Sequence, residues 1–341
     1  MTIGLDATYS VGDHLSGVGM YSRSLLSGLA EVHPETRFDL YYRPHRFLAS
    51  WRERLPRNAH RRLLAGPFFS SPELFHGLNQ RLPEARLRRT VATFHDLFVL
   101  SGEYSTPEFR DRFAAQARDA AERADLLIAV SEFTKSQVTG LLGVPPSKVR
   151  VIHHGVRALQ LPAAARENVI LCVGAIQKRK NLSRLVAAFE TLESDWTLVL
   201  AGSSGFGAAT IGDQIQASPA RGRIHATGYV NDQELARWYA RASIFAFPSL
   251  DEGFGIPVIE AMAAGVPVIT SNRSALAEVA GAAALLVDPE RTDSIAEALR
   301  ELIEKPDLRQ ELTQRGHDRA ALFSWERAVH LTWDVYQELL R

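Results

Sequence analysis

Phe247-Pro248-Ser249-Leu250-Asp251-Glu252-Gly253-Phe254-Gly255-Ile256-Pro257-Val258-Ile259-Glu260-Ala261-Met262 holds the end of an apolar run, a glycine-bearing loop and the opening of a helix. Ile244–Phe247 reads as a buried strand, and Pro257 suits the first helical position, where a missing N–H costs nothing. Gly253 and Gly255 free the backbone for unusual angles and for close approach to a ligand. The amides of Gly255 and Ile256 then face outward at a helix start, which suits an anion such as a diphosphate. Glu252 enters from the loop, and the spacing predicts Glu260 in the first helical turn. A carboxylate beside phosphates makes sense if it accepts from sugar hydroxyls. Each glutamate alone reads as a charge at a helix start; the two around Gly-Phe-Gly point to a ligand.

Short apolar runs and helical patterns alternate outward from this stretch. In the first half the predicted strands are Ile3–Thr8, Arg37–Tyr42, Thr90–His95, Leu126–Val130 and Val149–His153. In the second half they are Val169–Val173, Thr197–Ala201, Ile224–Thr227, Ile244–Phe247, Val266–Thr270 and Ala283–Val287. Most are continuous apolar runs, as in strands buried on both faces. The βαβα alternation predicts an α/β protein with parallel sheets covered by helices. So many strands in one sheet would be unusual, and two doubly wound sheets fit better. The boundary is expected in the pattern-poor segment Arg157–Asn168. No repeat or low-complexity tract interrupts the chain.

Composition narrows the function. The 341 residues carry 39 basic and 39 acidic side chains, a formal net charge of +0, so nothing in the whole-chain charge attracts nucleic acid. Hydrophobic residues at 46% and charged residues at 23% are those of an ordered globular chain. A single cysteine, Cys172, excludes an intrachain disulfide and a cysteine-rich zinc site. No apolar run approaches the roughly 18 residues of a membrane span. Met1–Asp6 lacks the basic flank and apolar core of a signal peptide, so a cytoplasmic protein is expected. Residues 1–158 are net +5 and residues 159–341 net −5. Within Arg43–Arg62, seven arginines (43, 46, 52, 54, 57, 61 and 62) face only Glu53. Such a run is either a solvated face or an attraction to an anionic acceptor or membrane leaflet.

A second constellation, Val173-Gly-Ala-Ile-Gln-Lys-Arg-Lys-Asn-Leu182, follows a buried strand and precedes a helix. It sits at the carboxyl edge, where ligands of open α/β sheets bind. Lys178, Arg179 and Lys180 lie where a helix dipole disfavours cations, and a bound diphosphate would compensate. In the first half, Ser16-Gly17-Val18-Gly19 follows the first strand. Neither it nor Gly205-Phe-Gly207 completes G-x-G-x-x-G, which argues against a dinucleotide dehydrogenase. His95 ends a strand in Phe94-His95-Asp96. His153 and His154 read as structural, since no third ligand is spaced for a metal.

With these residues in place the sequence resembles the retaining glycosyltransferases of family 4. The resemblance rests on Glu252-x7-Glu260 with Arg179-Lys180-Asn181 upstream, and on the ending Phe323-Ser-Trp325. It covers nearly the whole chain and is strongest from Val169 to Pro289. It implies the GT-B fold: two Rossmann-like doubly wound domains facing a central cleft. Residues 1–158 would form the acceptor-binding domain and residues 159–322 the nucleotide-sugar-binding domain. Residues 323–341 would form a C-terminal helix packing back on the first. Arg179 and Lys180 match the family's diphosphate-binding pair, Glu260 the ribose ligand and Glu252 the carboxylate beside the donor sugar. Gly255 and Ile256 match backbone amides near phosphates and sugar, Gly17 and Gly19 a glycine-rich loop facing the phosphates, and His95 a histidine near the transferred sugar. One departure is Ala175, where many members carry arginine, with Lys178 in place of a proline.

The resemblance further implies transfer of a hexose from a nucleotide diphosphate sugar, with bacterial mannosyltransferases the nearest pattern. GDP-mannose is the first expected donor and UDP-glucose the next; the acceptor is a glycan or lipid-linked saccharide. Arg179, Lys180 and the helix start would stabilise the leaving diphosphate. No Asp-x-Asp pair stands beside the site, so no metal and no cofactor is expected. A nucleotide-sugar epimerase on the same fold, or a noncatalytic nucleotide-sugar sensor, are the competing readings. Peripheral contact with an anionic membrane through the arginine run completes the expectations.

Overall fold

The computed structural model describes residues 1–12, 15–66, 69–157, 159–193 and 195–341. The chain forms two compact units, Met1–Gly155 with Ser324–Arg341, and Val156–Phe323. Ala158, the last residue of the expected first domain, lies outside the described residues.

In the first unit, strands β1 (Thr2–Asp6), β2 (Arg37–Tyr42), β3 (Ala59–Leu63), β4 (Leu74–Gly77), β5 (Thr90–Phe94), β6 (Leu126–Ala129) and β7 (Val149–Val151) form one parallel sheet. Its order is β3-β2-β1-β4-β5-β6-β7. The chain winds outward through β2 and β3, then crosses back to β4 beside β1. That reversal opens a crevice at the carboxyl edge between β1 and β4. Helices α1 (Gly17–Val32), α2 (Pro44–Phe47), α3 (Phe98–Ser101), α4 (Pro107–Arg123) and α5 (Glu132–Leu142) connect the strands. Side-chain caps start several of them: Ser16 accepts from the Gly19 amide, Thr106 from Phe109 and Ser131 from Thr134. Gly143, at φ 69°, ends α5 in the left-handed conformation open to glycine.

β3 and β4 escape the sequence reading. β3 is an edge strand, Ala-His-Arg-Arg-Leu, with only Ala59 buried, so it carries no apolar run. β4 is four residues long and hides the polar His76 in its interior. The other strands stand where the apolar runs place them, with ends shifted by one or two residues.

In the second unit, β8 (Glu167–Val173), β9 (Thr197–Ala201), β10 (Ile224–Gly228), β11 (Ala242–Phe247), β12 (Val268–Ser271) and β13 (Ala284–Val287) form a parallel sheet ordered β10-β9-β8-β11-β12-β13. Its reversal lies between β8 and β11. Helices α6 (Leu182–Glu190), α7 (Ala208–Ala217), α8 (Asp232–Arg241), α9 (Ile256–Ala263), α10 (Ser274–Ala280), α11 (Thr292–Glu304) and α12 (Pro306–Ala320) complete it. Leu182, Leu185, Phe189 and Leu192, at helical spacing, are all buried.

Helix α13 (Trp325–Leu340) belongs to the first unit and packs along α1. Val329 and Tyr336 join the core of Ile3, Leu5, Leu25 and Leu29. Gly28 lets the two helices approach closely, since a Cβ there would lie 2.5 Å from Val329 Cγ2.

The arginine run splits. Arg43 pairs with Asp6 at 3.5 Å and Arg62 with Asp39 at 3.2 Å, while Arg61 donates to the Ser50 and Glu53 carbonyls. Arg46, Arg52, Arg54 and Arg57 are exposed. Between them the chain makes a 3₁₀ turn in which the Trp51 amide donates to the Leu48 carbonyl. Side chains three apart eclipse in such a turn, so Leu48 and Trp51 share a face. They are 81% and 65% exposed, against the buried Ser50 on the other side.

Candidate active site

The crevice between β8 and β11 collects both motifs of the second unit. β8 delivers Val173 to Gly174, whose φ of 139° and lack of a side chain make room for Lys180: a Cβ there would lie 3.2 Å from Lys180 Cε. Lys178–Lys180 is a 3₁₀ turn ahead of α6, closed by Asn181 at φ 59°. Asn181 Nδ2 donates to the carbonyls of Pro248 (3.0 Å) and Pro289 (2.6 Å), and the Leu250 amide donates to the Arg179 carbonyl at 2.8 Å. The cationic turn and the glycine loop are thereby stitched together.

Across that seam lies a buried ion triad. Lys180 Nζ donates to Glu252 Oε1 at 2.6 Å, and Arg179 Nη1 lies 2.6 Å from Glu252 Oε2. Arg179 Nη1 also donates to the Asp251 carbonyl at 2.9 Å. The Lys180 ammonium sits 4.4 Å from the centre of the Phe247 ring. Burial would raise the Glu252 carboxyl, but the two cations and their hydrogen bonds outweigh it and hold it at about 2. Burial draws Lys180 down, and Glu252 partly restores it. The triad carries one net positive charge, shielded from water.

Gly255 caps α9 at φ 103°, and a Cβ there would lie 2.6 Å from Leu276 Cδ2, so the loop closes only around glycine. No side chain caps α9 and no acid lies in its first turn. Two expectations are corrected here. Pro257 is the second helical residue, and Glu260 is the fifth, beyond the first turn, because the helix begins at Ile256. Glu260 is buried within the unit: Arg157 Nε donates to its Oε1 at 3.1 Å and Tyr239 Oη to its Oε2 at 3.3 Å. Arg157 Nη1 also meets Asp232 at 2.7 Å. Burial raises the Glu260 carboxyl, and the Arg157 charge only partly offsets it. A cavity of about 370 Å³, lined by Arg157, Leu159, Leu161, Glu260 and His317 among others, adjoins this carboxylate. The sequence reading missed Arg157, which sits in the segment taken for a linker, and Tyr239, which stands on α8 with no motif around it.

The remaining site residues lie in the first unit. Gly17 and Gly19 form the first turn of α1 rather than a loop; a Cβ on Gly19 would lie 2.8 Å from the Tyr9 carbonyl oxygen. His95 is buried after β5, with Nε2 2.9 Å from the Leu78 carbonyl. Burial lowers it to about 4, so it is neutral at physiological pH. The bond to a carbonyl places the proton on Nε2 and leaves Nδ1 as an acceptor. Tyr21 packs edge-on against His95 (4.7 Å between rings) and His154 (5.0 Å), and His95 stacks on His154 at 5.3 Å. Behind them, Tyr21 Oη and Thr93 Oγ1 are 2.9 Å apart, and His76 spans Thr93 (2.8 Å) and Tyr336 (2.7 Å). Among the described residues no group of acids, histidines and cysteines could hold a metal ion.

Known proteins give this arrangement a family. The pattern of "Glycosyl transferases group 1" matches residues 159–319, and that of "Glycosyltransferase Family 4" matches residues 21–158. O-antigen chain mannosyltransferase B of Escherichia coli is 31% identical over 284 residues, covering 78% of this chain and 74% of that protein. A D-inositol 3-phosphate glycosyltransferase of Nocardioides sp. is 32% identical over 293 residues, covering 74% of this chain and 63% of its own length. The fold is that of sucrose-phosphate synthase from Thermosynechococcus elongatus, at TM-score 0.80 and 23% identity over 99% of both chains. The chain belongs to the group 1 glycosyltransferases of family 4, hexosyltransferases built on the two Rossmann-like domains of the GT-B fold.

Proposed function

We propose that this enzyme transfers a hexose with retention from a nucleoside diphosphate donor to a glycan or lipid-linked saccharide. Mannose from GDP-mannose is the first choice and glucose from UDP-glucose the second. The observation that carries the reading is the buried Arg179–Lys180–Glu252 triad at the carboxyl ends of β8 and β11. Its two cations hold Asp251 and Glu252 in the loop that leads into the uncapped start of α9, so charge and backbone donors are available to a diphosphate. The preference for mannose is supported by relatives named as mannosyltransferases.

Breaking the sugar–phosphate bond leaves positive charge on the sugar and negative charge on the diphosphate. Arg179, Lys180 and the α9 amides stabilise the second. Glu252, ionised at all physiological pH, lies against the same cations and suits the electron-poor sugar. Glu260 binds the ribose, for which Arg157 and Tyr239 hold its two oxygens in place. His95, neutral, accepts from a sugar hydroxyl through Nδ1. Same-face return, with the leaving phosphate taking the acceptor's proton, asks for no further base among these residues. Gly17 and Gly19 are the first-unit residues proposed to meet the phosphates.

The enzyme works in the cytoplasm and touches an anionic membrane surface through its first unit. No helix among the described residues is long and apolar enough to cross a membrane. Leu48 and Trp51 supply apolar anchors, and Arg46, Arg52, Arg54 and Arg57 supply the charge.

The test is thermal stabilisation by GDP, UDP and their sugars, followed by turnover of the stabilising donor. Selective stabilisation by guanosine compounds and transfer of mannose are expected. Stabilisation by neither nucleotide would overturn the reading.

A further inference from the structure

A cavity of about 580 Å³ lies wholly in the first unit. Its walls come from both sides of the first sheet's reversal. Arg43 follows β2, Leu64–Gly66 and Phe69 follow β3, Arg81–Ala85 follow β4, and Ala115, Gln116 and Asp119 stand on α4. In an open parallel sheet this is the place where ligands bind. The volume is that of a small-molecule site.

The walls are fixed. Arg123 donates to the carbonyls of Pro83 (2.6 Å) and Ala85 (3.3 Å) and pairs with Asp119 at 2.9 Å, pinning the loop after β4 to α4. Phe69 packs on Tyr41 and Phe75, 5.1 and 6.1 Å between ring centres. Two guanidiniums line the space. Arg43 Nε is buried with no hydrogen-bond partner among the described residues, and its one ion pair is long, 3.5 Å to Asp6. Arg81 has no ion pair among the described residues. An N–H left without an acceptor is costly, and the partly exposed guanidinium of Arg43 gains from an anion that reaches it.

We propose that this crevice binds a saccharide carrying an anionic group, phosphate or carboxylate, with the anion on Arg43 and Arg81. The apolar face of a sugar ring meets Phe69, Leu64 and Leu82, and its hydroxyls meet Gln116, Glu84 and Asp119 at the rim. The space is far larger than a bare phosphate requires. That the saccharide is the acceptor rests on the transfer reaction proposed above; that one binds here does not.

The experiment is calorimetric titration of the full chain, saturated with GDP or UDP to occupy the second unit. The probes are mannose 1-phosphate, glucuronate, methyl α-mannoside and inorganic phosphate. At least one charged sugar is expected to bind about tenfold or more tightly than the neutral one, the size of one charge-assisted hydrogen bond. Which charged sugar does so identifies the anion. Arg81→Ala should remove that advantage. Ala115→Trp, at an exposed helix position, should block every sugar, while both variants keep the wild-type melting curve and nucleotide affinity. Equal binding of charged and neutral sugars, inorganic phosphate binding as tightly as the sugar phosphate, or undiminished binding in both variants would overturn the proposal. If no nucleotide binds, the donor reading falls, and the same titrations without nucleotide still decide this site.

Discussion

Lys180 and Glu252, 72 positions apart, are joined Nζ to Oε1 at 2.6 Å with both side chains buried. Arg179 closes the other carboxylate oxygen. Read along the chain, the cationic turn and the acidic loop are separate motifs with separate roles. Folded, they are one electrostatic unit, and the carboxylate occupies the cations that a diphosphate would meet.

Removing that carboxylate should therefore act in opposite directions on stability and on nucleotide response. Glu252→Gln leaves two buried cations facing each other, at a cost of about 3–5 kcal/mol. A nucleoside diphosphate supplies the missing anion, so it should raise the melting temperature more in the variant than in the wild type. Turnover should fall in the variant. Differential scanning fluorimetry with and without GDP or UDP checks this, and equal midpoints for the two ligand-free proteins would exclude it.

Lys180→Ala and Glu260→Ala should weaken nucleotide binding through different parts of the ligand. The lysine variant should lose affinity for the diphosphate far more than for the free nucleoside, and the Glu260 variant should lose both. Each charge-assisted hydrogen bond is worth roughly 1.5–3 kcal/mol. Calorimetry with GDP against guanosine, and UDP against uridine, reads the difference. Equal losses for the lysine variant would remove it from the phosphate contacts.

Burial lowers His76 to about 3 and His95 to about 4, from an ordinary 6.5. Between pH 6.5 and about 4 the unfolded chain then binds more protons than the folded one. Stability is thus full above pH 6.5 and declines as the pH falls, by about 1.4 kcal/mol per pH unit for each histidine. His76→Asn should reduce that slope in urea unfolding measured across this range. An unchanged slope would mean that His76 titrates normally in the fold.

Trp51→Ala and Leu48→Ala should reduce sedimentation with anionic liposomes even though neither changes charge. Substituting Arg52 or Arg54 should cost about 1 kcal/mol each and less as salt rises. Arg62→Ala should cost much less, because Asp39 already holds it. Binding that ignores both lipid charge and Trp51 would leave only a solvated face.

What was legible in the chain, and what was not, follows from how each feature is encoded. Continuous apolar runs such as Val169–Val173 and Ile244–Phe247 announce strands buried on both faces, and the parallel sheets follow from them. β3 is hidden because an edge strand needs no apolar run, and its arginines read as a charge cluster. Gly255 was legible, since it adopts an angle that glycine alone takes readily; the room Gly174 leaves for Lys180 was not. Arg157 was not: its role exists only once folding brings it to Glu260, 103 positions away. Nor was the exposure of Leu48 and Trp51, which depends on the direction of one 3₁₀ turn.

The close seat of Val329 against Gly28 also makes the first unit depend on a segment far along the chain. The first unit draws its core from both ends of the chain, with the second unit encoded between them. During synthesis, residues 1–155 emerge first but lack α13, whose Val329, Val335 and Tyr336 cover Leu25 and Leu29. The second unit, by contrast, is one continuous stretch, Val156–Phe323. The first unit therefore closes only when α13 docks, and without it Leu25 and Leu29 face an unsealed apolar groove.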